Sequence, residues 1–191
     1  MSAHPCADSY SRAISAAANR GLGTAGHEVI ALDLYDCGFT PAMSSADLDA
    51  YRAQQPPIDP LVREHGRLVK EVDALVFVYP TWWSGPPAIL KGWLERVLVP
   101  GIAFTFDDRG KVQPAMMHIQ RIVGISTYGS PWTYVKLVND NGRRMLTRTL
   151  RLTCGRRTST TWLGLYSIDT TGAAERDAFL DRVEHSMAKL R

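Results

Sequence analysis

The sequence has no apolar run long enough to cross a membrane: its longest unbroken stretch, Ala74 to Tyr79, is far short of the roughly 18 residues a spanning helix needs. The start, Met1 to Pro5, carries neither a basic region nor an apolar stretch, so no secretory leader is expected. Cysteine is scarce. Cys6, Cys37 and Cys154 are the only three, and none stands in a CxxC pair; a disulfide framework is not expected, and a reducing cytoplasm suits the chain best. The five histidines show no metal-ligand spacing with one another or with cysteine. No GxxxxGK[ST] and no GxSxG occurs, which removes P-loop and hydrolase-elbow chemistry. The net charge of +3, from 22 basic and 19 acidic residues, is too small to imply a nucleic-acid partner.

What is present is a chain of 191 residues, 45% hydrophobic and 21% charged, with five Trp, seven Tyr and five Phe. Composition of this kind excludes general disorder. At this length roughly 70% of the extended surface is buried on folding. No repeat or linker divides the sequence, so residues 1–191 read as one domain.

Strand and helix patterns alternate. Asp8 to about Ala25 is helical, with Ile14, Ala17, Ala18 and Leu22 recurring on one face. Glu28 to Leu34 reads as a strand, and Tyr35 to Pro60 as a long loop rich in turn formers. Leu61 to Val72 is a helix with Leu61, His65, Leu68 and Val72 along one side. Ala74 to Tyr79 is apolar throughout, the mark of a strand buried on both faces of a parallel sheet. Ala88 to Leu98 follows as a helix with Leu90, Trp93, Leu94 and Val97 inward. A strand over Arg121 to Ser126, a helix from Asp140 to about Thr153, a strand over Ser159 to Ser167 and a closing helix from Ala173 to Leu190 complete an α/β doubly wound pattern. The opening strand of such a sheet is missing: only three residues precede His4. The expected gap lies between Glu28–Leu34 and Ala74–Tyr79, with the natural start upstream of the recorded one or the chain less stable for want of that strand.

Two motifs favour plain readings. Gly21-Leu-Gly23-Thr-Ala-Gly26 matches GxGxxG but closes a helix, whereas a dinucleotide fingerprint opens one after a strand; it reads as a glycine-rich helix end. Asp107-Asp108 reads as a solvated turn. Arg143, Arg144, Arg148, Arg151, Arg156 and Arg157 form a basic stretch with no acid between Asn141 and Ile168. A solvated face is the first reading of it, a phosphate-bearing cofactor or partner the second. Nucleic acid comes last, because aromatic interleaving is absent.

Ligands of open α/β sheets bind beyond the carboxyl ends of the strands. There the chain carries Pro80-Thr81-Trp82-Trp83 and Ser126-Thr127-Tyr128-Gly129-Ser130-Pro131-Trp132, and the first helix is preceded by His4 with Ser9, Tyr10 and Ser11 at its start. Flat aromatic walls, backbone N–H donors and a hydroxyl-rich helix start suit a large planar ring with a phosphate tail.

The segment from Tyr79 to Leu98, with Pro100-Gly101-Ile102-Ala103-Phe104, His4-Pro5, Ser9-Tyr10-Ser11, Leu34-Tyr35, Gly38-Phe39 and Ser126-Thr127-Tyr128-Gly129, resembles the flavodoxin-like NAD(P)H dehydrogenase (quinone) family as far as about Pro131. The resemblance implies a flavodoxin-like parallel sheet with helices on both faces, a non-covalent FAD or FMN, NAD(P)H as co-substrate, a quinone or similar acceptor, and a homodimer. It assigns His4, Ser9, Tyr10 and Ser11 to the flavin phosphate region and Pro80, Thr81, Trp82 and Trp83 to the isoalloxazine. Ser126, Thr127, Tyr128 and Gly129 fall to the ring's other edge, where backbone N–H groups approach it, and Tyr134 to an active-site tyrosine. Where some members carry a histidine, Val138, Asn139 and Asp140 stand here. Flavodoxin-like ancillary subunits of potassium efflux transporters supply the alternative, with little catalysis and a peripheral membrane partner.

Overall fold

A computed structural model describes residues 1–190. In chain order the helices are α1 (Tyr10–Thr24), α2 (Ser45–Arg52), α3 (Pro60–Glu71), α4 (Ala88–Val97), α5 (Trp132–Leu137), α6 (Asn141–Arg144) and α7 (Ala173–Ala188). The strands are β1 (Ala74–Pro80), β2 (Phe104–Phe106), β3 (Val112–Pro114), β4 (Arg121–Thr127) and β5 (Ser159–Leu165). β1, β4 and β5 lie side by side in parallel, in that order, and β2 and β3 form a small antiparallel hairpin. Asp107 accepts from Arg109 N, Lys111 N and the Gln113 amide at the hairpin's turn, so the Asp-Asp pair is a turn device, as its composition suggests.

The missing strand has a stub. Ser2 bridges Asp33 on one side and Val78 on the other, both in parallel. Ser2 N donates to Leu32 O at 2.7 Å, Leu34 N to Ser2 O at 3.0 Å, Ala3 N to Val78 O at 3.1 Å and Val78 N to Met1 O at 2.9 Å. Met1–Ala3 therefore occupies the gap expected beside β1, and the line-up Asp33, Ser2, β1, β4, β5 is the flavodoxin-like 2-1-3-4-5 order. Glu28–Leu34, however, is not a strand as expected: it pairs only at Asp33, and Val29 and Ile30 are exposed. A strand needs a ladder partner along its length, and Ser2 reaches only its last residues.

Alternation along β1 and β4 feeds two cores. Leu75, Phe77, Tyr79 and Ile122 face α3 and α4, while Val78, Val123 and Ile125 face α1 and α7. Gly124 stands opposite Trp162 in the register, and a Cβ on it would fall 2.1 Å from the indole, so only glycine lets that ring lie across the sheet. Gly21 serves α1 likewise: a Cβ there would meet Glu184 O of α7 at 2.2 Å. The GxGxxG segment is thus a helix-packing and helix-ending device, with Gly26 at φ 82° in the left-handed region.

Three further expectations are corrected. The Tyr35–Pro60 loop contains α2, opened by a capping box in which Ser44 and Asp47 bond each other's backbone N–H. On α3 the buried residues are Val62, His65, Gly66 and Val69, a face rotated from the expected one that keeps only His65. His65 Nδ1 accepts from Trp93 Nε1 at 3.1 Å, and desolvation lowers the pKa of the ring. The helix after Asp140 is not uniform: α6 passes into a π segment (Met145–Thr149) and then a 3-10 turn (Leu150–Thr153). Gly142, Leu146, Leu150 and Cys154 are buried, a four-residue spacing along the inner side of this irregular helix.

Candidate active site

The carboxyl ends of β1 and β4 are cross-linked before they open into loops. Thr81 N donates to Thr127 O at 2.8 Å, the Thr81 and Ser126 hydroxyls are 2.8 Å apart, and Ser126 Oγ donates to Tyr79 O at 2.9 Å. Thr81 and Ser126 thus fix the floor of the site rather than offering hydroxyls to a ligand.

Beyond Thr81 the chain makes a two-residue turn closed by reciprocal bonds, Trp82 N to Gly85 O and Gly85 N to Trp82 O, each 3.0 Å. Trp83 and Ser84 lie at φ 49° and 58°, the left-handed pair such a tight turn requires. A bulky residue in that region is strained, and strain of about 1–3 kcal/mol is typical of functional sites. The turn leaves Trp83 fully exposed and Trp82 nearly half exposed. The His4 ring sits 5.9 Å from Trp82, which brings the first loop and the tryptophan turn together.

The start of α1 contributes less side chain than the sequence suggests. Ser9 Oγ caps the helix by accepting from Arg12 N. The Tyr10 hydroxyl donates to Arg176 O of α7 at 2.7 Å, and burial pushes its pKa up to about 12. Ser11 is buried. What α1 offers is its opening N–H groups and positive dipole end.

After β4, Tyr128 N donates to Leu165 O at 2.8 Å, and Tyr128 O accepts from Ile168 N at 2.9 Å. The Tyr128 ring is buried and stacked on Tyr166 at 4.7 Å. Tyr128 is therefore sheet and core, and its N–H is not available to a ligand. The N–H groups of Gly129 and Ser130 have no acceptor among the described residues. Ser84, Gly129, Ser130, Tyr134 and Asp140 border a cleft of about 30 Å³, and Tyr134 stays half exposed at its rim.

Asp140 was not singled out as a site residue in the sequence, yet it carries the least compensated charge there. It is 7% exposed and sits at φ 45°. Its Oδ1 accepts from Tyr128 OH at 3.1 Å, while Oδ2 and the nearby Tyr79 hydroxyl are buried with no partner. Burial, then the Asp140 carboxylate, raises the pKa of both phenols. A buried carboxylate and a phenol left unpaired side by side are a costly arrangement that an added donor or water would relieve. The left-handed residues Asn139 and Asp140 are the only sequence signal of it.

NAD(P)H dehydrogenase [quinone] 1 of Rattus norvegicus is 35% identical over 150 residues, 69% of this chain and 53% of that protein. The chain thus spans about half the length of these curated relatives. Among solved structures, Smu.1420 of Streptococcus mutans UA159 superposes with a TM-score of 0.85 at 26% identity, covering 100% of both chains. The NAD(P)H:quinone oxidoreductase of Methanothermobacter marburgensis does so with 0.82 at 25%, over 98% of this chain and 92% of that one. A family model described as Flavodoxin-like fold matches residues 1–190, and the chain belongs to that family.

Proposed function

We propose that residues 1–191 form one flavin-binding domain that oxidises NAD(P)H and passes two electrons to a quinone or similar small acceptor. The observation that carries this is the strained, exposed tryptophan turn at Trp82–Ser84, set at the carboxyl end of β1 with the free N–H groups of Gly129 and Ser130 beyond β4. The quinone-reductase names of relatives at 35% and 25% identity support the reading.

The residues fit a flavin. Bound there, FAD or FMN supplies the hydride and electron chemistry. The opening N–H groups of α1, with Ser9 and His4 beside them, hold the phosphate end. Trp82 and Trp83 cover the ring and exclude water, and Gly129 and Ser130 donate to its polar edge. Tyr134 holds a proton within reach of the acceptor's oxygen.

An absorbance spectrum tests this directly: the purified protein loaded with FAD or FMN is expected to be yellow and to bleach under NADH or NADPH. Trp82→Ala is expected to weaken flavin binding by about 1–3 kcal/mol, the scale of burying one large apolar side chain. Wild-type affinity in both Trp82→Ala and Trp83→Ala removes the assignment.

The same surface calls for a second copy. Trp83 in the turn after β1 and Trp132 and Leu137 on α5 are all exposed, and large apolar side chains left in water favour cover by a partner. A homodimer is the expected state, checked by sedimentation at micromolar concentration; a species of one-chain mass counts against it. No helix among the described residues is long and apolar enough to cross a membrane, and the cytoplasm is the proposed location.

A further inference from the structure

The charge of this molecule is concentrated in one place. Between Asn141 and Ile168 there are six arginines and no acidic residue. The remainder of the chain holds 16 basic against 19 acidic residues and is net negative. None of the six arginines forms an ion pair among the described residues.

The irregular helix after Asp140 organises them. The four-residue spacing that buries Leu146, Leu150 and Cys154 also exposes Arg144, Arg148 and Leu152. Arg151 is pinned to the following turn: its Nε donates to Thr158 O at 2.8 Å and its Nη2 to Arg156 O at 3.4 Å. Arg156 and Arg157 are exposed on that turn. Met117 adjoins it, with its carbonyl 2.9 Å from where a Cβ on Gly155 would lie, and Met116 N donates to Thr153 O at 3.0 Å. Leu152 and Met117 protrude here, 74% and 60% exposed. Two flexible apolar tips are thus set among guanidinium groups.

We infer that this face docks on an anionic phospholipid surface. Guanidinium groups are weakly hydrated and match phosphate oxygens in pairs, and Leu152 and Met117 supply the apolar contact that lets such a face enter the headgroup boundary. Single-stranded nucleic acid would want aromatic stacking partners, and none of the residues named on this face is aromatic. The net negative remainder of the chain orients the molecule, arginines toward the lipid. The patch adjoins Ser159, whose register partner is Arg121, at the amino ends of β5 and β4. Arg156 and Arg157, with Leu152 and Met117, therefore lie about 20 Å, one strand length, from the candidate active site, whereas Arg144 stands two residues past Gly142, which abuts Tyr79 at that site; docking through the amino-end residues leaves the site open.

The test is co-sedimentation of the flavin-loaded protein with phosphatidylcholine vesicles, with and without phosphatidylglycerol. Binding is expected only to the anionic vesicles, and high salt should reverse it. Each basic residue near such a surface contributes about fivefold in partition, so Arg148→Gln with Arg156→Gln and Arg157→Gln should lower partition by about 100-fold. Flavin content and NAD(P)H oxidation with a soluble acceptor should not change in that variant. Leu152→Ser alone should lower partition several-fold. Equal sedimentation with neutral and anionic vesicles overturns the inference, as does tighter binding to polyglutamate or to duplex DNA than to anionic vesicles. An unaffected Leu152→Ser variant overturns the apolar contact. Because the readout is partition, none of these results depends on the proposed oxidoreductase activity.

Discussion

Placing about four apolar residues ahead of Met1 in extended conformation is expected to raise the thermal midpoint by about 5–15 °C. A groove of about 460 Å³ runs on from Met1 between Glu28–Ile30 and Asp73–Val76, floored by Ala18, Leu22 and Leu190. Four side chains placed there gain about 1.5–3 kcal/mol each, against roughly 1.5 kcal/mol per residue for ordering. With a new ladder of backbone bonds on both sides, a net gain of about 2–4 kcal/mol follows, at about 2–4 °C per kcal/mol for a chain this size. Glu28–Leu34 should then become a strand, visible as slowed amide exchange.

The same extension should flatten a pH dependence. The Met1 amine donates to Val76 O at 2.9 Å, and desolvation, opposed by the Asp33 charge, lowers its pKa from 8.0 to about 6. Between those values the unfolded chain binds more protons than the folded one. Stability therefore falls as pH drops from 8 to 6, by up to about 2–3 kcal/mol. Converting the amine into a peptide bond removes the term. An extended chain with an unchanged midpoint and an unchanged pH slope would show that the groove is not a strand slot.

Arg96→Met is expected to cost about 3–5 kcal/mol, the scale for breaking a buried ion pair on one side. Arg96 is buried. It reaches Asp47 at 3.2 Å, Asp59 at 3.1 Å and the Thr40 carbonyl at 2.5 Å, with its guanidinium 5.7 Å over Phe39. Asp47 belongs to the capping box of α2, and Asp59 caps α3 by accepting from Leu61 N. One side chain from α4 thus anchors the whole Tyr35–Pro60 excursion. Although burial by itself raises the Asp47 pKa, the Ser44 bonds and the Arg96 charge hold it below 3.8. Its contribution is in place above that value and is lost as pH falls through the lowered one. Chemical denaturation checks the variant. Asp47→Asn should cost less in the Arg96→Met background than alone, and strictly additive losses would separate the two residues.

The amino-acid sequence by itself determined the elements whose pattern is local. Ala74–Tyr79 is apolar at every position and formed β1. Ile14, Ala17, Ala18 and Leu22 repeat at helical spacing and formed the buried face of α1. The two aromatic loops follow strands and therefore open at the carboxyl ends, which was enough to locate the candidate site.

Tertiary structure decided what depends on partners distant in sequence. Glu28–Leu34 has a strand's composition but pairs only at Asp33, because a strand exists through its neighbours. The loop after it holds a helix opened by a local capping box, and Arg96, more than forty residues on, fixes where that box sits. Tyr10, Ser126 and Tyr128 stood in the sequence as ligand-facing residues. The fold turned Tyr10 to α7, Ser126 to the strand junction and Tyr128 into the core, since each met a buried backbone or carboxylate acceptor first. Asp140 went the other way: an ordinary acid in a polar stretch, it was carried under Tyr79 and Tyr128 by a left-handed turn that only the packed structure imposes.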